Sequence, residues 1–280
     1  MTLTVTQALA QAQALGLERL DAHMLVLHVL GRPTHDRAWL LAHGSDALPA
    51  SAQDALRPLL TRRARGEPMA YITGFKEFFG LSLAVDARVL DPRPDTETLV
   101  DWALEAMATW VCRPQEKPVA LDLGTGSGAI ALALQRHCPQ WQVQGLDFST
   151  DALAVAAANA NRLQIPVQFR QGSWLSGITE PFALIVSNPP YIADGDTHLA
   201  ALTHEPPQAL ASGADGLDDI RTIIAQAPAC LLPGAWLLLE HGYDQAEPVC
   251  ALLRAAGFQQ VQSRHDLAGI ARCSGGQWTA

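Results

Sequence analysis

The sequence predicts an α/β protein in which a small helical domain precedes a mostly parallel sheet of seven strands. After residue 118, short continuous apolar runs alternate with amphipathic stretches, which is typical of a parallel sheet covered by helices on both faces. Earlier in the chain the apolar residues recur at helical spacing instead. A β-rich segment between the two regions predicts a hairpin that joins them. The length of 280 residues suffices for one large or two modest domains.

The helical domain is assigned to residues 1–74. Apolar residues over 22–30 lie on one helical face, and a glycine and a proline follow them. A second, short apolar helix is predicted at 39–42. Ser51, with Asp54 three residues later, resembles a capping box and predicts the start of a further helix.

Residues 75–94 are predicted to form a β-hairpin and linker. The β-rich runs at 71–73 and 81–85 are separated by glycines that suit turns. The Asp-Pro-Arg-Pro segment at 91–94 must then be extended, because a residue that precedes proline avoids the α region.

The remaining residues, 95–280, are assigned to a single α/β domain. Apolar runs predict strands at 119–123, 143–146, 167–170, 182–187, 235–239, 259–264 and 270–273. Helical spacing predicts helices at 96–108, 129–137, 150–163, 218–231 and 248–256.

Composition and charge exclude several classes of function. The formal net charge of −9 argues against a broad nucleic-acid surface, which needs clustered Lys and Arg. The chain shows neither a signal peptide nor an apolar stretch of membrane-spanning length. Five scattered cysteines without a C-x-x-C pair suit a reduced, cytoplasmic protein without a metal site. They are Cys112, Cys138, Cys230, Cys250 and Cys273.

A glycine-rich turn follows the first strand of the predicted sheet. It consists of Gly124, Thr125, Gly126, Ser127 and Gly128, called here the glycine loop. Glycines allow a sharp turn and a closer approach of a ligand than any Cβ permits. The spacing also fits the dinucleotide fingerprint, so the loop alone does not identify a ligand. The alternative is a tight turn without a ligand.

Two residues beyond the glycine loop complete a predicted cofactor site. Asp147 ends the second strand, where its carboxylate can accept hydrogen bonds from both hydroxyls of an adenosine ribose. Trp174 follows the third strand, where its indole would lie against an adenine or, alternatively, in the core. NAD and S-adenosylmethionine share these requirements, so the site predicts a nucleoside cofactor without naming it.

The most specific motif follows the fourth strand. Asn188, Pro189, Pro190 and Tyr191 form the Asn-Pro-Pro-Tyr loop, at the strand end where open α/β sheets bind ligands. An amide nitrogen is a poor nucleophile, because its lone pair is delocalised. The Asn188 side-chain oxygen and the Pro189 carbonyl can accept its two N–H bonds and aim the lone pair at an electrophilic methyl. Tyr191 offers a flat apolar face to a planar group. This loop favours methyl transfer over hydride transfer.

These motifs together resemble the release factor glutamine methyltransferase family, the PrmC/HemK proteins, over nearly the whole chain. The resemblance is carried by the glycine loop, Asp147, Trp174 and the Asn-Pro-Pro-Tyr loop. The segments at 65–74, 89–97, 205–206, 209–210, 215–217, 240–242 and 266–272 also agree.

The resemblance implies a class I methyltransferase-like (Rossmann-like) fold. It implies S-adenosyl-L-methionine as cofactor and S-adenosyl-L-homocysteine as product. The implied reaction is N5-methylation of the glutamine in the Gly-Gly-Gln motif of peptide chain release factors, with the helical domain engaging the release factor. The cofactor positions of the family match the glycine loop, Asp147, Trp174 and Asn188, and its glutamine-binding loop matches 188–191.

Other functions stay open at this point. Related Asn-Pro-Pro-Tyr enzymes modify a glutamine of a ribosomal protein, and the same loop can hold the N6 amine of adenine in nucleic acid. The acidic charge counts against direct contact with nucleic acid. A non-catalytic cofactor-binding module is disfavoured by the intact motifs. The chain also carries its own Gly275-Gly276-Gln277, which raises the question of self-methylation.

Overall fold

The computed structural model describes residues 3–111 and 117–279, so Cys112 lies outside the described residues. Contacts divide the chain into two compact units, Met1–Phe75 and Lys76–Ala280. No helix in the described part of the chain combines the length and the apolar composition needed to cross a membrane.

The first unit is helical, as predicted. Its described residues form α1 (Val5–Ala14), α2 (Arg19–Val29), α3 (Arg37–Ala42), α4 (Ala50–Ala64) and α5 (Met69–Thr73). Apolar side chains on their inward faces share one core, in which Leu25, Leu27 and Leu48 are fully buried. Burial of this shared face stabilises helices that would be too short to persist alone in water.

A capping box begins α1, whereas the one predicted for α4 is wrong. The Thr4 hydroxyl accepts from the Gln7 N–H at 3.3 Å, and the Gln7 side chain accepts from the Thr4 N–H at 2.9 Å. By contrast, α4 begins directly after Pro49, and no side chain caps it. Ser51 therefore lies inside the first turn with Asp54, where a hydroxyl cannot take the place of a cap.

The β-rich run predicted at 71–73 is also wrong, because these residues end α5. Pro68 precedes the helix with its φ at −55°, and Gly74 ends it in the left-handed region with φ at 80°. Tyr71 and Ile72 are buried, so helical packing outweighs the β propensity of their side chains.

A two-stranded hairpin follows, made of β1 (Phe75–Phe78) and β2 (Leu81–Ala84). Phe79 and Gly80 connect the strands with φ values of 48° and 75°. Two consecutive left-handed residues match the twist of paired strands, which is why short hairpins favour such turns.

The second unit alternates helices and strands. Its helices are α6 (Glu97–Thr109), α7 (Ala129–His137), α8 (Thr150–Leu163), α9 (Asp218–Gln226) and α10 (Ala246–Ala255). Its main strands are β3 (Val119–Leu123), β4 (Gln142–Asp147), β5 (Gln168–Gln171), β6 (Phe182–Ser187), β7 (Leu231–Glu240), β8 (Gln259–His265) and β9 (Ala271–Gln277). The predicted seven-stranded α/β sheet is confirmed.

The order of the strands predicts where in the sheet a ligand binds. The order is β5-β4-β3-β6-β7-β9-β8, and among the described strands of this sheet β9 alone runs opposite to the other six. The chain starts at β3, builds outward through β4 and β5, and then returns to the other side of β3 with β6. This reversal is a topological switch point, and the carboxyl ends of β3 and β6 open a crevice there.

Three predicted boundaries differ from the structure by four or five residues, and one of them is the start of β7, which lies at Leu231 and not at residue 235. The helix predicted over 218–231 ends at Gln226, because Pro228 lies in the short 3₁₀ turn that follows and has no N–H to donate. The last strand extends to Gln277 across two glycines. A Cβ on Gly275 would lie 2.6 Å from Leu238 Cδ2, so neighbouring side chains already fill that space.

One buried amide ties the hairpin to the sheet domain. Asn159, on α8 and fully buried, accepts from the Ala84 N–H at 2.7 Å. Its Nδ2 donates to the Ala84 carbonyl at 2.9 Å and to the Ser127 carbonyl at 3.0 Å. Strand β2 and the glycine loop are thus held by the same side chain.

We expect Asn159→Ala to lower the free energy of unfolding by roughly 1–3 kcal/mol, the usual cost of leaving a buried polar group unpaired. Urea unfolding followed by circular dichroism measures the change. Asn161→Ala, on the exposed side of the same helix, is the matched control. Equal effects of the two substitutions would contradict the role of Asn159.

Candidate active site

A cavity of about 300 Å³ opens at the switch point, in the second unit. Six of the residues predicted to bind ligands line it: Gly124, Gly126, Asp147, Trp174, Asn188 and Pro190. The other predicted residues, which are Thr125, Ser127, Gly128, Pro189 and Tyr191, lie behind or beside this lining. The parallel strands therefore bring the glycine loop and the Asn-Pro-Pro-Tyr loop to one crevice.

The exposed part of the glycine loop needs its glycines. Gly124 and Gly126 have φ values of 68° and 53°, in the left-handed region. The N–H groups of Gly124 and Thr125 donate to the Leu146 carbonyl at 2.8 and 3.0 Å, which holds the loop against the end of β4. A Cβ on Gly124 would lie 3.5 Å from the ring of Trp174 and would reach into the cavity.

The inner residues of the glycine loop support it. The Thr125 hydroxyl donates to the Asp122 carboxylate at 2.6 Å, and Ser127 is buried. Gly128 precedes α7 with φ at 82°, and a Cβ there would lie 3.3 Å from the Cβ of Ala156 on α8. These three residues shape the loop without lining the cavity.

Asp122 lies beneath the loop as a fully buried carboxyl group. It also accepts from the Ala131 N–H at 3.1 Å, which fixes the first turn of α7. Burial raises the pKa of Asp122 to about 7, although the hydrogen bond from Thr125 opposes that shift.

Asp147 faces the cavity from the end of β4. Its two carboxylate oxygens accept from the backbone N–H groups of Gly126 at 2.8 Å and Ser149 at 2.9 Å. Burial raises the pKa of Asp147, and these backbone hydrogen bonds oppose the rise. A carboxylate offers about four acceptor positions, so the group retains capacity for two hydroxyl donors.

Trp174 forms a wall of the cavity. Its backbone has a φ of 48°, and its indole N–H donates to Asp219 at 2.9 Å. The other Asp219 oxygen accepts from the Ser212 hydroxyl at 2.7 Å. Because the N–H is already used, the indole offers a ligand its apolar surface, and it also packs against the core. Trp174 therefore contacts both the cavity and the core, and its packing against an adenine stays a prediction.

Sequence reasoning missed several lining residues. Phe148, directly after Asp147, is 73% exposed and lines the cavity. An aromatic residue that follows the acidic residue at a strand end was the available signal. Further lining comes from two loops without a recognisable pattern, at 88–90 and 206–209.

The Asn-Pro-Pro-Tyr loop is held at both ends. Asn188 is half-buried, and its Nδ2 donates to the Thr96 hydroxyl at 3.2 Å. The Tyr191 hydroxyl donates to Glu240 Oε1 at 3.4 Å, and the Tyr191 carbonyl accepts from Gln245 Nε2 at 3.0 Å. Both prolines are buried, so the backbone of the loop is stiff.

Glu240 ends β7 and is 1% exposed. Burial raises its pKa to about 7, whereas hydrogen bonds from Thr96 and Tyr191 lower it. Burial together with the Glu240 charge also raises the pKa of Tyr191. Glu240 therefore helps to hold the end of the Asn-Pro-Pro-Tyr loop through its contact with Tyr191.

Arg93 joins the linker to the loop that covers the cavity. Its guanidinium contacts the buried carboxylate of Glu205 at 2.5 Å and Asp91 at 3.7 Å. Pro206 follows Glu205 and lines the cavity, so this ion pair holds one part of the lining in place. Within the described residues, no group of three or more His, Cys, Asp or Glu side chains is arranged to hold a metal ion.

Comparison with known families matches both units. Residues 97–217 match the family described as "Methyltransferase small domain". Residues 4–74 match the family described as "PrmC N-terminal domain".

Similar proteins agree with these matches. A release factor glutamine methyltransferase of Bordetella pertussis is 50% identical, with 93% of this chain and 95% of the relative covered. A release factor glutamine methyltransferase of Vibrio cholerae is 45% identical, and the match covers 99% of this chain and 98% of the relative. The solved Thermus thermophilus 16S rRNA N2 G1207 methyltransferase, in complex with AdoMet and guanosine, has a TM-score of 0.54 at 18% identity. The match covers 73% of this chain and 49% of the Thermus thermophilus chain, and it shows that the two share a fold.

The buried Asp122 should make the stability of the protein depend on pH. Because its pKa is raised to about 7 in the fold, the stability that the protonated group contributes is complete below pH 4 and is lost as the pH rises through 7. In Asp122→Asn this loss is absent. Raising the pH from 6 to 8.5 should therefore lower the melting temperature of the wild type by several degrees more than that of the variant.

Thermal unfolding of both proteins at the two pH values measures this difference in melting temperature. The comparison cancels other titrating groups such as Glu240, since both proteins carry them. Melting temperatures that change in parallel would show that Asp122 does not titrate in this range.

Proposed function

This chain belongs to the release factor glutamine methyltransferase family, and on that basis we propose that it methylates the N5 amide of the glutamine in the Gly-Gly-Gln motif of peptide chain release factors. The reaction uses S-adenosylmethionine. The observation that carries the proposal is the Asn-Pro-Pro-Tyr loop, whose Asn188 lines the same cavity as the glycine loop and Asp147. Methyl donor and acceptor amide would therefore meet at the carboxyl ends of β3, β4 and β6.

The cavity fits the cofactor chemically. Gly124 and Gly126 leave open space where side chains would block an approach, and Asp147 keeps acceptor capacity for ribose hydroxyls. Phe148 and Trp174 give the cavity flat apolar surfaces suited to an adenine. When bound there, S-adenosylmethionine supplies an electrophilic methyl group on a positively charged sulfur.

The protein positions the amide rather than deprotonating it. The Asn188 side-chain oxygen and the Pro189 carbonyl would each accept one N–H of the substrate amide. The stiff loop then aims the nitrogen lone pair into the cavity, and most of the rate gain comes from proximity and alignment. The amide loses its proton as the new N–C bond forms, so a strong base is unnecessary.

We also propose a separate role for each part of the chain. Residues 1–74 would engage the release factor, 75–94 would link the parts, and 95–280 would perform methyl transfer. A cytoplasmic location fits a substrate that acts in translation. The four described cysteines are unpaired and buried, which agrees with a reduced compartment.

The chain's own Gly-Gly-Gln does not reach the active site of the same molecule. Gln277 pairs with Trp236 on β7, four residues before Glu240, which ends that strand. The side-chain amide nitrogen of Gln277, Nε2, donates to the Gly234 carbonyl at 2.8 Å. We therefore propose no methyl transfer to this tripeptide within the same molecule.

Incubation with methyl-labelled S-adenosylmethionine tests the function. Release factor should be labelled, and its glutamine-to-alanine variant should not. A ribosomal protein fraction and DNA or RNA serve as competing acceptors in parallel reactions. Label on the variant would contradict the glutamine assignment, and label on nucleic acid alone would favour methylation of adenine.

We expect Asn188→Ala to lower turnover by about 10²–10³, typical for the loss of one preorganised polar contact. The affinity for cofactor should change little, because the cofactor is held mainly by the glycine loop and Asp147. Steady-state kinetics and calorimetry measure the two quantities, with Asn161→Ala as control. Turnover within twofold of the wild type would refute the assigned role.

We expect Asp147→Ala to weaken cofactor binding by roughly 1–3 kcal/mol, because polar groups are left unpaired. Calorimetric titration with S-adenosylmethionine measures the loss. Asp151→Ala, an exposed carboxylate in the first turn of α8, is the matched control. Unchanged affinity in Asp147→Ala would remove this residue from the site.

A further inference from the structure

We propose that Gln245 is a positioning residue that holds the Asn-Pro-Pro-Tyr loop in the orientation in which it binds the substrate amide. This inference rests on the proposed function, because it concerns the same amide-binding loop. Gln245 is 8% exposed and lies outside the lining of the cavity, so it would act through the loop and not on the substrate itself.

The carboxamide of Gln245 joins three separate segments of the second unit. Its Oε1 accepts from the Gly242 N–H at 2.8 Å, just beyond the end of β7. Its Nε2 donates to the Tyr191 carbonyl at 3.0 Å and to the Asp215 carbonyl at 3.2 Å. One side chain therefore connects the end of β7, the last residue of the Asn-Pro-Pro-Tyr loop and the segment that precedes α9.

The partners of this carboxamide determine its orientation. A backbone N–H can only donate and a backbone carbonyl can only accept. Gly242 must therefore face the oxygen, whereas Tyr191 and Asp215 must face the nitrogen, and both hydrogens of the NH₂ group are used. A side chain of similar length without this pair of donor and acceptor cannot make all three contacts.

The requirements of the helix do not explain a glutamine at this position. Gln245 occupies the N-cap position of α10, where Ser, Thr, Asp and Asn are favoured because their short side chains accept from the first turn. Here the side chain makes no capping hydrogen bond and turns back to Gly242. The longer side chain uses its length to reach Tyr191 instead.

The chain leaves room for this contact at Gly216. This glycine has a φ of 74°, in the left-handed region. A Cβ there would collide with the Tyr191 carbonyl oxygen and would lie 2.8 Å from Gln245 Nε2. The contact between Gln245 and Tyr191 therefore depends on the glycine as well as on the glutamine.

The residue that follows the Asn-Pro-Pro-Tyr loop is bonded to a segment next to the cavity. The Ile192 N–H donates to the Leu210 carbonyl at 2.9 Å, and the Ser212 N–H donates to the Ile192 carbonyl at 2.9 Å. The Ser212 hydroxyl in turn donates to Asp219, which lines the cavity. Gln245 thus holds the loop at the point where it joins a wall of the cavity, and its loss would loosen their alignment.

Gln245→Met nearly keeps the length of the side chain and removes its three hydrogen bonds. We expect kcat on release factor to fall about tenfold, because a less well aligned amide reacts more slowly. Calorimetric titration should give a nearly unchanged dissociation constant for S-adenosylmethionine, since the glycine loop and Asp147 are intact. Misfolding would instead lower the number of binding sites per molecule in the same titration.

Glu247→Met, at an exposed position in the first turn of α10, is the matched control and should keep the wild-type kcat. A kcat of Gln245→Met within twofold of the wild type would overturn the proposal. If Gln245→Met does not fold, Gln245→Asn takes its place, because the shorter side chain cannot reach Tyr191.

Gln245→Glu tests the donor directly. When ionised, the new carboxylate places an oxygen against the carbonyls of Tyr191 and Asp215, whereas the protonated form can donate again. Burial raises the pKa of such a carboxyl group. The kcat of this variant, divided by that of the wild type, should therefore rise at least threefold as the pH falls from about 8.5 to about 6.5.

The same ratio for Gln245→Met should not change with pH, which makes this variant the control. The titratable residues near the carboxamide are present in all three proteins, so that their effects cancel: Asp215, Glu240, His241 and Asp244. A ratio for Gln245→Glu that is equally low at both pH values would overturn the proposal.

Hydrogen exchange gives a readout that needs no substrate. In Gln245→Met, the amides of Ile192 and Ser212 should exchange several times faster, because they bond the loop to its neighbouring segment. Amides of α7 should not change. Equal exchange in variant and wild type would overturn the proposal even if the wild type methylates release factor. Conversely, a wild type that leaves release factor unlabelled would refute the proposed function, and the exchange rates would still decide the role of Gln245.

Discussion

Parallel pairing of β3, β4, β6 and β7 is the constraint on which the site depends. Because these strands point the same way, their carboxyl ends meet at one edge, and the residues that follow each strand are brought together from distant parts of the chain. The glycine loop, Asp147, the Asn-Pro-Pro-Tyr loop and Glu240 each occupy such a position. The return of the chain from β5 to β6 leaves the crevice between them.

Two buried carboxyl groups lie close to this edge of the sheet. Asp122 and Glu240 are almost completely buried, and burial raises both pKa values to about 7. Each group accepts hydrogen bonds from donors that are held in place: Thr125 and the backbone of α7 for Asp122, and Tyr191 for Glu240. These hydrogen bonds stiffen the loops around the site, which a reaction governed by alignment requires.

Much of this architecture was predictable from local patterns. The bounds predicted for α8 and β6 match the structure, since a serine cap marks the start of α8 and a continuous apolar run marks β6. The run at 71–73 failed because β propensity is a weak signal where packing favours a helix. The contact of Asn188 with Thr96 could not be predicted, because it joins residues 92 positions apart that only the folded domain makes neighbours.

The wall formed by Trp174 has a consequence for inhibitor design. Its indole N–H is donated to Asp219, which is in turn bound to Ser212, so the polar edge of the ring is closed off. A competitive compound would gain affinity on this side through the area and flatness of its ring system, and an added acceptor atom would gain nothing. In the proposed cofactor site, a larger apolar bicycle in place of adenine is therefore a rational starting point, with selectivity sought at Phe148, which is 73% exposed.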